Sequence, residues 1–583
     1  MLLALVLPFE AIQPVLVTPW VSLTDEKVVL LIAVVAWMAT GVRALPSPAE
    51  WRAVLPSLTL LLGALVAAIN APEFGDEALR FVWRLAAAAF VLLLAVRVSV
   101  EKSKLTGVLW AIVLGAGLSA LLGLGEASGW APLSSTLGLF KVAPTRVAGE
   151  LRVSASFQYA TIAAMYFEMA VPLGIILAAT STRRWPKLLA VAIAAVCTAN
   201  VVLSLSRAGI LTLGLMLGVL FLAAWRMPQV RRVVLPAVVS AGVLLGGVAI
   251  LTARNPVFDL RLVTESDADW YGAAYSAPTA LSLVSADSAT VAVDIRNEGR
   301  IVWSSSGNRP FALGYRWLTA DGTGVLNVSP GEVALTDDVA PGETIHLQTL
   351  VQVPALPAGT YRLDWGMLQR DVLKFYERGW ANAETVVTVA APAGAAALSL
   401  PAVLERDDAE APWVVGRLEL WGAALRLIQT RPLLGVGPDN FRHLYGAQLG
   451  LETWDERVQA NNLYLEVLAD VGLLGLAAFL WVVFGPLNVA RRLLTARSLA
   501  RNKDRSLEGD FSPNDSFDTG RGAAQRPSAS GRDMVVVLGL ALAIAAFLVH
   551  GLLDSFLAFT PTALLLWMLL GMLVAQKPQV SGR

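Results

Sequence analysis

The chain has 583 residues, of which 56% are hydrophobic and 15% charged, and its 45 Lys and Arg offset 45 Asp and Glu. A charged share so far below the usual quarter places the chain in the membrane class and offers no basic surface for nucleic acid. Cys197 is the single cysteine, which excludes an internal disulfide and a cysteine-rich metal site.

Crossing the hydrocarbon core takes about 17 to 25 apolar residues. In chain order the candidate runs are 2–18 (interrupted by Pro8, Glu10 and Pro14), 28–42, 55–69, 81–96, 105–124, 160–179, 188–203, 210–225 and 233–251. These make up an N-terminal block over 1–252, and 471–489, 534–552 and 556–575 follow near the other end. The predicted fold is an α-helical polytopic membrane protein of about twelve transmembrane helices, with one or two of the short runs open to a re-entrant reading. Residues 1–6 lack a charged front and a small-residue cleavage site, so a retained first span is expected rather than a cleaved signal peptide.

Lys and Arg concentrate in cytoplasmic loops near span ends. Arg43 and Arg52, then Arg97, Lys102 and Lys104, then Arg183, Arg184 and Lys187, then Arg226, Arg231 and Arg232 fall in alternate loops. Placing these inside puts Glu73, Asp76 and Glu77, the loop 126–158 and all of 252–470 outside, with both termini cytoplasmic.

Between 264 and 389 the periodicity changes. Segments 290–295, 311–318, 344–353 and 359–365 tend to alternate apolar and polar residues, and turns such as Asn297-Glu298-Gly299 and Pro341-Gly342 separate them. That pattern predicts an inserted extracytoplasmic immunoglobulin-like β-sandwich of about 100 to 125 residues, with Trp303, Tyr315, Trp317, Tyr361 and Trp365 as its large core residues. Residues 390–400 are small and apolar, as in a flexible tether. After the span at 471–489, residues 490–533 are rich in Ser, Arg, Gly and Pro, and a disordered basic cytoplasmic linker is expected before the two spans of 534–575.

The stretch 390–470 is too charged at its front to lie in lipid, yet it runs into an apolar span, which makes it a shelf on the membrane surface. From Arg417 the spacing predicts an amphipathic helix with Leu418, Trp421, Leu425 and Ile428 on one face. Pro432 ends it. Gly435, Gly437 and Pro438 then form a turn that lets backbone approach another surface or a ligand. A second helix is expected to start at Asn461 or Asn462, either of which can cap it.

The order of Arg417, Trp421, the Pro432 to Pro438 run PLLGVGP, Phe441, Asn462, Leu463, Tyr464, Leu465 and Gly472 to Gly475 resembles the O-antigen ligase and polymerase superfamily. The resemblance implies a multi-pass glycosyltransferase of the prokaryotic cytoplasmic (inner) membrane, acting in cell-surface polysaccharide or lipopolysaccharide biosynthesis. It implies a polyprenyl-diphosphate-linked glycan as donor, a glycan, lipid or protein as acceptor, and membrane lipids as surroundings. Trp421, Pro432, Gly435, Gly437, Asn462 and Tyr464 would then be the scaffold of the motif.

A lipid diphosphate carries its own leaving group, so such an enzyme needs cations for the diphosphate and a base for the acceptor hydroxyl. Arginine suits the first task through its paired donors. Arg207, in a Ser-Arg-Ala-Gly turn, resembles the family's Ser-Arg motif; the plainer reading is an arginine snorkelling to headgroups. Arg417 resembles the family arginine upstream of Trp421, against a solvated helix face. Arg152 resembles the arginine before a small-residue and aromatic stretch, against an ordinary loop charge. Arg84 falls partly inside the bilayer and suits either phosphate contact or pairing with Glu168.

The resemblance breaks at the base. The family places a histidine just before its Asn-x-Tyr-Leu segment, where this chain has Gln459, Ala460 and Asn461, and neither amide accepts a proton at neutral pH. His443 on the shelf is one candidate for a displaced base, Asp439, Glu452, Asp455, Glu456 and Glu466 are others, and reliance on positioning and leaving-group stabilisation alone, or an inactive chain, stays open; His550 reads as a helix pair with Asp554 and His346 as a surface strand residue. No metal site or cofactor is expected: the histidines are scattered, Asp267 and Asp269 lie far along the chain from the shelf, and no glycine-lysine phosphate loop occurs. The alternative to a metal-independent ligase or polymerase is a transporter or a catalytically silent glycan-binding membrane protein; a transporter would more often show repeated halves.

Overall fold

The computed structural model describes residues 1–14, 16–17, 22–41, 47–147, 150–226, 228–252, 270–307, 309–376, 380–391, 398–406, 415–508 and 529–576. Among them eight helices are long and apolar enough to cross a bilayer, and Lys27–Ala39, Val234–Ile250 and Thr560–Ala575 are shorter apolar helices. The N-terminal block contains α1 (Leu2–Val6), α2 (Asp25–Gly41), α3 (Pro48–Ile69), α4 (Gly75–Ser99), α5 (Lys102–Ala127), the single turn α6 (Ser134–Leu137), α7 (Ala160–Thr180), α8 (Arg184–Leu203), α9 (Arg207–Arg226) and α10 (Pro228–Thr252). The remainder adds α11 (Arg417–Thr430), α12 (Phe441–Leu449), α13 (Leu463–Glu508), α14 (Ala529–His550) and α15 (Thr560–Ala575).

The expected first span does not form. Pro8 closes α1 into a 3₁₀ turn, Leu7–Phe9, since proline removes an amide donor and Glu10 follows at once. The short α1 instead packs on α5, where a Cβ on Gly115 would lie 2.3 Å from the Leu5 carbonyl oxygen.

At the centre of the helical part is α7, which is buried along nearly its whole length. Its sequence is apolar on nearly every side, as a fully enclosed helix requires. Small residues bring its neighbours close, for example at Gly174, where an added Cβ would lie 3.2 Å from the Ala194 Cβ of α8.

The strand region holds β1 (Ala273–Ser276), β2 (Ala280–Val284), β3 (Ser288–Asn297), β4 (Phe311–Leu318), β5 (Gly324–Leu326), β6 (Gly331–Ala334), β7 (Thr344–Gln352), β8 (Gly359–Gln369), β9 (Leu373–Lys374), β10 (Ala383–Ala390) and β11 (Val403–Glu405). They form an eight-stranded sheet with the main path β11-β5-β4-β8-β10-β2 and a three-stranded sheet β7-β3-β1. Burial alternates residue by residue along β7, the mark of a strand with one covered face. Both sheets contribute to one core, in which Trp270, Trp303, Trp317 and Trp365 are almost wholly enclosed. Residues 264–269 and 392–397 of the expected sandwich and tether lie outside the described residues; beyond the tether, β11 returns to pair with β5.

The front of the expected linker is helical, because α13 continues through Glu508, and 509–528 lie outside the described residues. On α11 the expected apolar face is rotated. Leu420, Ala423, Ala424 and Leu427 are buried, whereas Leu418 is 74% and Leu425 49% exposed. The alanines let α11 approach α12 and α13 closely, which the larger leucines would prevent.

Candidate functional site

The site is built around a broken helix. Within α13, Gly472 adopts φ 66° and ψ −171°, so 463–471 and the helix beyond are two pieces. A break of this kind orphans carbonyls before it and amides after it. The PLLGVGP run takes them up: Val436 and Gly437 donate to the carbonyls of Ala469 and Asp470, each at 2.9 Å, and Leu473 donates to Pro432 at 2.9 Å. The backbones run so close that a Cβ on Gly435 would lie 2.3 Å from the Asp470 oxygen, and one on Gly472 equally near that of Leu433. Both glycines also have positive φ.

Asp470 completes the joint. Its carboxylate accepts the amides of Asp439 at 2.8 Å and Phe441 at 2.9 Å, capping α12 from across the fold. Asn462 caps α13 itself, accepting the amides of Tyr464 and Leu465 at 3.1 and 3.0 Å. The start of α13 is seated on the last turn of α14 and the loop after it: Leu463 donates to the Gly551 carbonyl at 2.7 Å, and the Tyr464 hydroxyl to that of Leu548 at 2.9 Å. Asn461 has φ 49°, and its carbonyl accepts the Trp421 indole at 3.4 Å. Glu466 holds this turn by accepting the Ala460 amide at 2.9 Å and the Ser555 hydroxyl at 2.7 Å.

Beside the joint lies a cavity of about 1180 Å³. Along α4 its lining passes from Arg80 and Arg84 to Leu85, Ala87 and Ala88, and along α13 from Glu466 and Asp470 to Val471 and Phe479. One end is therefore charged and the other apolar, where Leu60 and Trp567 also contribute. Arg84 lies 3.9 Å from the Asp439 carboxylate, which Arg442 also approaches at 3.3 Å. Of the residues singled out in the sequence, the cavity joins Arg84 and Glu466; Arg152, Arg207, Arg417, His443 and Asn461 are not in its lining.

Arg417 belongs to a second group. Its Nη2 is 3.9 Å from Asp554 Oδ2, which lies 3.6 Å from His550 Nε2, and His550 Nδ1 is 2.8 Å from Glu168 Oε1. The expected pairing of Glu168 with Arg84 is thus replaced: α14 packs on the face of α7 that carries Glu168, whereas Arg84 faces the cavity.

Arg152 and the Arg207 turn meet in a third group. Arg152 donates to the Ser204 carbonyl at 3.0 Å, and the Val153 amide to that of Leu203 at 3.0 Å. The half-buried Arg207 opens α9, whose Gly209 would place a Cβ 3.0 Å from Ala164 of α7. A pair with no sequence signal supports this loop. Glu126, at the end of an apolar run, accepts the amides of Ser154 and Ala155 at 3.1 and 2.8 Å and is paired with Lys141. Burial pushes the Lys141 ammonium below its ordinary range.

His443 is buried and stacked on Phe74 with centroids 4.7 Å apart, and its Nδ1 lies 3.1 Å from Glu456. Five residues other than glycine with positive φ, Phe74, Ala155, Leu205, Asp439 and Asn461, fall at these junctions, where the surrounding contacts hold a strained backbone. Asp470 and Ser555 escaped the sequence reading, one within an apolar run and the other in an unremarked loop.

A model of the O-antigen ligase family matches residues 372–480, from the hairpin joining β8 and β9 through α11 and α12 to the second piece of α13. A search of curated proteins gives no match.

Proposed function

The chain belongs to the O-antigen ligase superfamily, and from that premise we propose that it is a metal-independent glycosyltransferase of a prokaryotic cytoplasmic membrane. It moves a polyprenyl-diphosphate-linked glycan to a glycan, lipid or protein acceptor on the outer face. The observation that carries this reading is the cavity: arginines at one end suit a diphosphate and apolar walls at the other suit a prenyl chain, beside the family-matched segment. Arg84 is the diphosphate contact within it, and Arg417, Arg152 and Arg207 are further cationic positions outside its lining. In this reading the helices include all the short apolar ones, both termini are cytoplasmic, and the strand-rich module is an extracytoplasmic immunoglobulin-like insertion.

The test is the level of polyprenyl-diphosphate-linked glycan in cells lacking the protein. It accumulates in the deletion, returns to normal with the wild-type chain, and stays high with equally expressed Arg84→Ala or Arg417→Ala. Full rescue by both variants removes the arginines from the diphosphate and with them the transferase.

A further inference from the structure

Among the candidate bases, two are already committed. Glu466 accepts the Ala460 amide on one oxygen and the Ser555 hydroxyl on the other, and His443 is stacked on Phe74 and faces Glu456. Asp554 is different. Its carboxylate stands between Arg417 at 3.9 Å and His550 at 3.6 Å, and its side chain is 12% exposed while those of His550 and Glu168 are fully enclosed. The His550 ring is held from behind by the 2.8 Å contact to Glu168 and edge-on by Phe556, with centroids 5.0 Å apart.

The backbone locks Asp554 to the shelf. Its carbonyl accepts the Leu463 amide at 3.2 Å, and the neighbouring Ser555 reaches Glu466 in the cavity wall. Asp554 thus sits against the first residue of α13, two positions after Asn461, the amide that stands where a base is missing. Stability gives no reason for such a row, since a buried ion pair is commonly matched by apolar residues of the same volume. Ionisable groups this deep in a helical bundle mark function.

We infer that Asp554 is the proton acceptor of the reaction proposed above, with His550 and Glu168 as positioning residues; the inference rests on that reading. At rest Asp554 faces Arg417. When the donor diphosphate takes up Arg417, the carboxylate turns to the acceptor hydroxyl. The acceptor oxygen attacks the anomeric carbon, the bond from that carbon to the diphosphate oxygen breaks, and its electron pair leaves on the diphosphate. The hydroxyl proton passes to Asp554 and then to water. The products are the glycosylated acceptor, the lipid diphosphate and one proton.

The test uses membranes containing the full chain and polyprenyl-diphosphate-linked glycan extracted from cells lacking the protein, with rates expressed per molecule of enzyme. Asp554→Asn lowers kcat by about 10² to 10⁴, and the donor KM stays level or falls because Arg417 loses a competing anion. Asp554→Glu recovers at least tenfold over Asp554→Asn, and His550→Gln lowers kcat with an unchanged KM. Should Asp554→Asn not accumulate, Asp554→Glu and His550→Gln carry the comparison. A wild-type kcat in Asp554→Asn, or Asp554→Glu no better than Asp554→Asn with a raised KM, overturns the assignment while leaving the transferase standing. A wild-type chain that consumes no donor removes both.

Discussion

Asp470 and Phe441 are joined by a 2.9 Å hydrogen bond across 29 positions, so that a carboxylate on α13 caps α12. The same side chain accepts the Asp439 amide, which holds Asp439 in its positive-φ conformation beside Arg84.

Removing that carboxylate leaves two enclosed amides without their acceptor. Asp470→Ala is expected to cost about 2 to 4 kcal/mol, one to two for each lost bond. Thermal unfolding of the full chain in detergent measures it. An unchanged midpoint would show that the joint does not depend on Asp470.

The two glycines of the joint tolerate no side chain. Gly435→Ala and Gly472→Ala each drive a Cβ into backbone at 2.3 Å and demand a left-handed conformation. Each is expected to cost more than about 2 kcal/mol and to lower the folded yield. Gly450, also at positive φ but with open space around its Cβ position, is the control: Gly450→Ala costs about 1 kcal/mol. Equal yields for the three variants would contradict the crossing described here.

The strand-rich module encloses an ion cluster in which Asp364 is bonded to Arg316 at 2.8 Å and to the Asn382 amide at 2.6 Å. Burial pushes the Asp364 carboxyl above its usual range, and the arginine opposes that shift. Asp364→Ala takes the buried carboxylate away from Arg316, for an expected loss of about 3 to 5 kcal/mol, whereas Asp364→Ala with Arg316→Met recovers part of it. Limited proteolysis of the full chain, followed within 270–405, separates the two outcomes.

Asp455 is held below the usual carboxylate range chiefly by hydrogen bonds from Arg457. A depressed folded value means that this pair stabilises above the unfolded value and that its contribution is lost as pH falls through the folded one. Arg457 is largely in solvent, which limits the pair to about 0.5 kcal/mol. Arg457→Ala therefore melts slightly below wild type at pH 7, and the two curves converge in acid. Curves that diverge as pH falls would reverse the sign.

Much of the shelf was legible because its signals are local. Pro432 ends α11, Asn462 caps α13, and Gly435 and Gly437 mark a backbone crossing, each for a reason contained within a few residues. Alternation made β3 and β7 legible in the same way, whereas β4 is buried at every position and β8 along most of its length, so that no period marks a covered face there. What escaped is set by partners far along the chain. Leu-Ala-Asp-Val-Gly-Leu-Leu-Gly reads as continuous helix, and only the arrival of 432–437 explains why it breaks at Gly472. The buried face of α11 follows the alanines because its neighbours demand close approach. Glu168 with His550 and Glu126 with Lys141 have no spacing rule to reveal them.

The crossing at Gly472 also constrains biogenesis. A peptide group left unpaired away from water costs several kcal/mol, so the break at Gly472 is complete only once 432–437 is there to bond Ala469, Asp470 and Leu473. Residues 432–437 precede the break in the chain and leave the ribosome first. The shelf is then a template made before the helix that it receives, and the joint closes only when both are present.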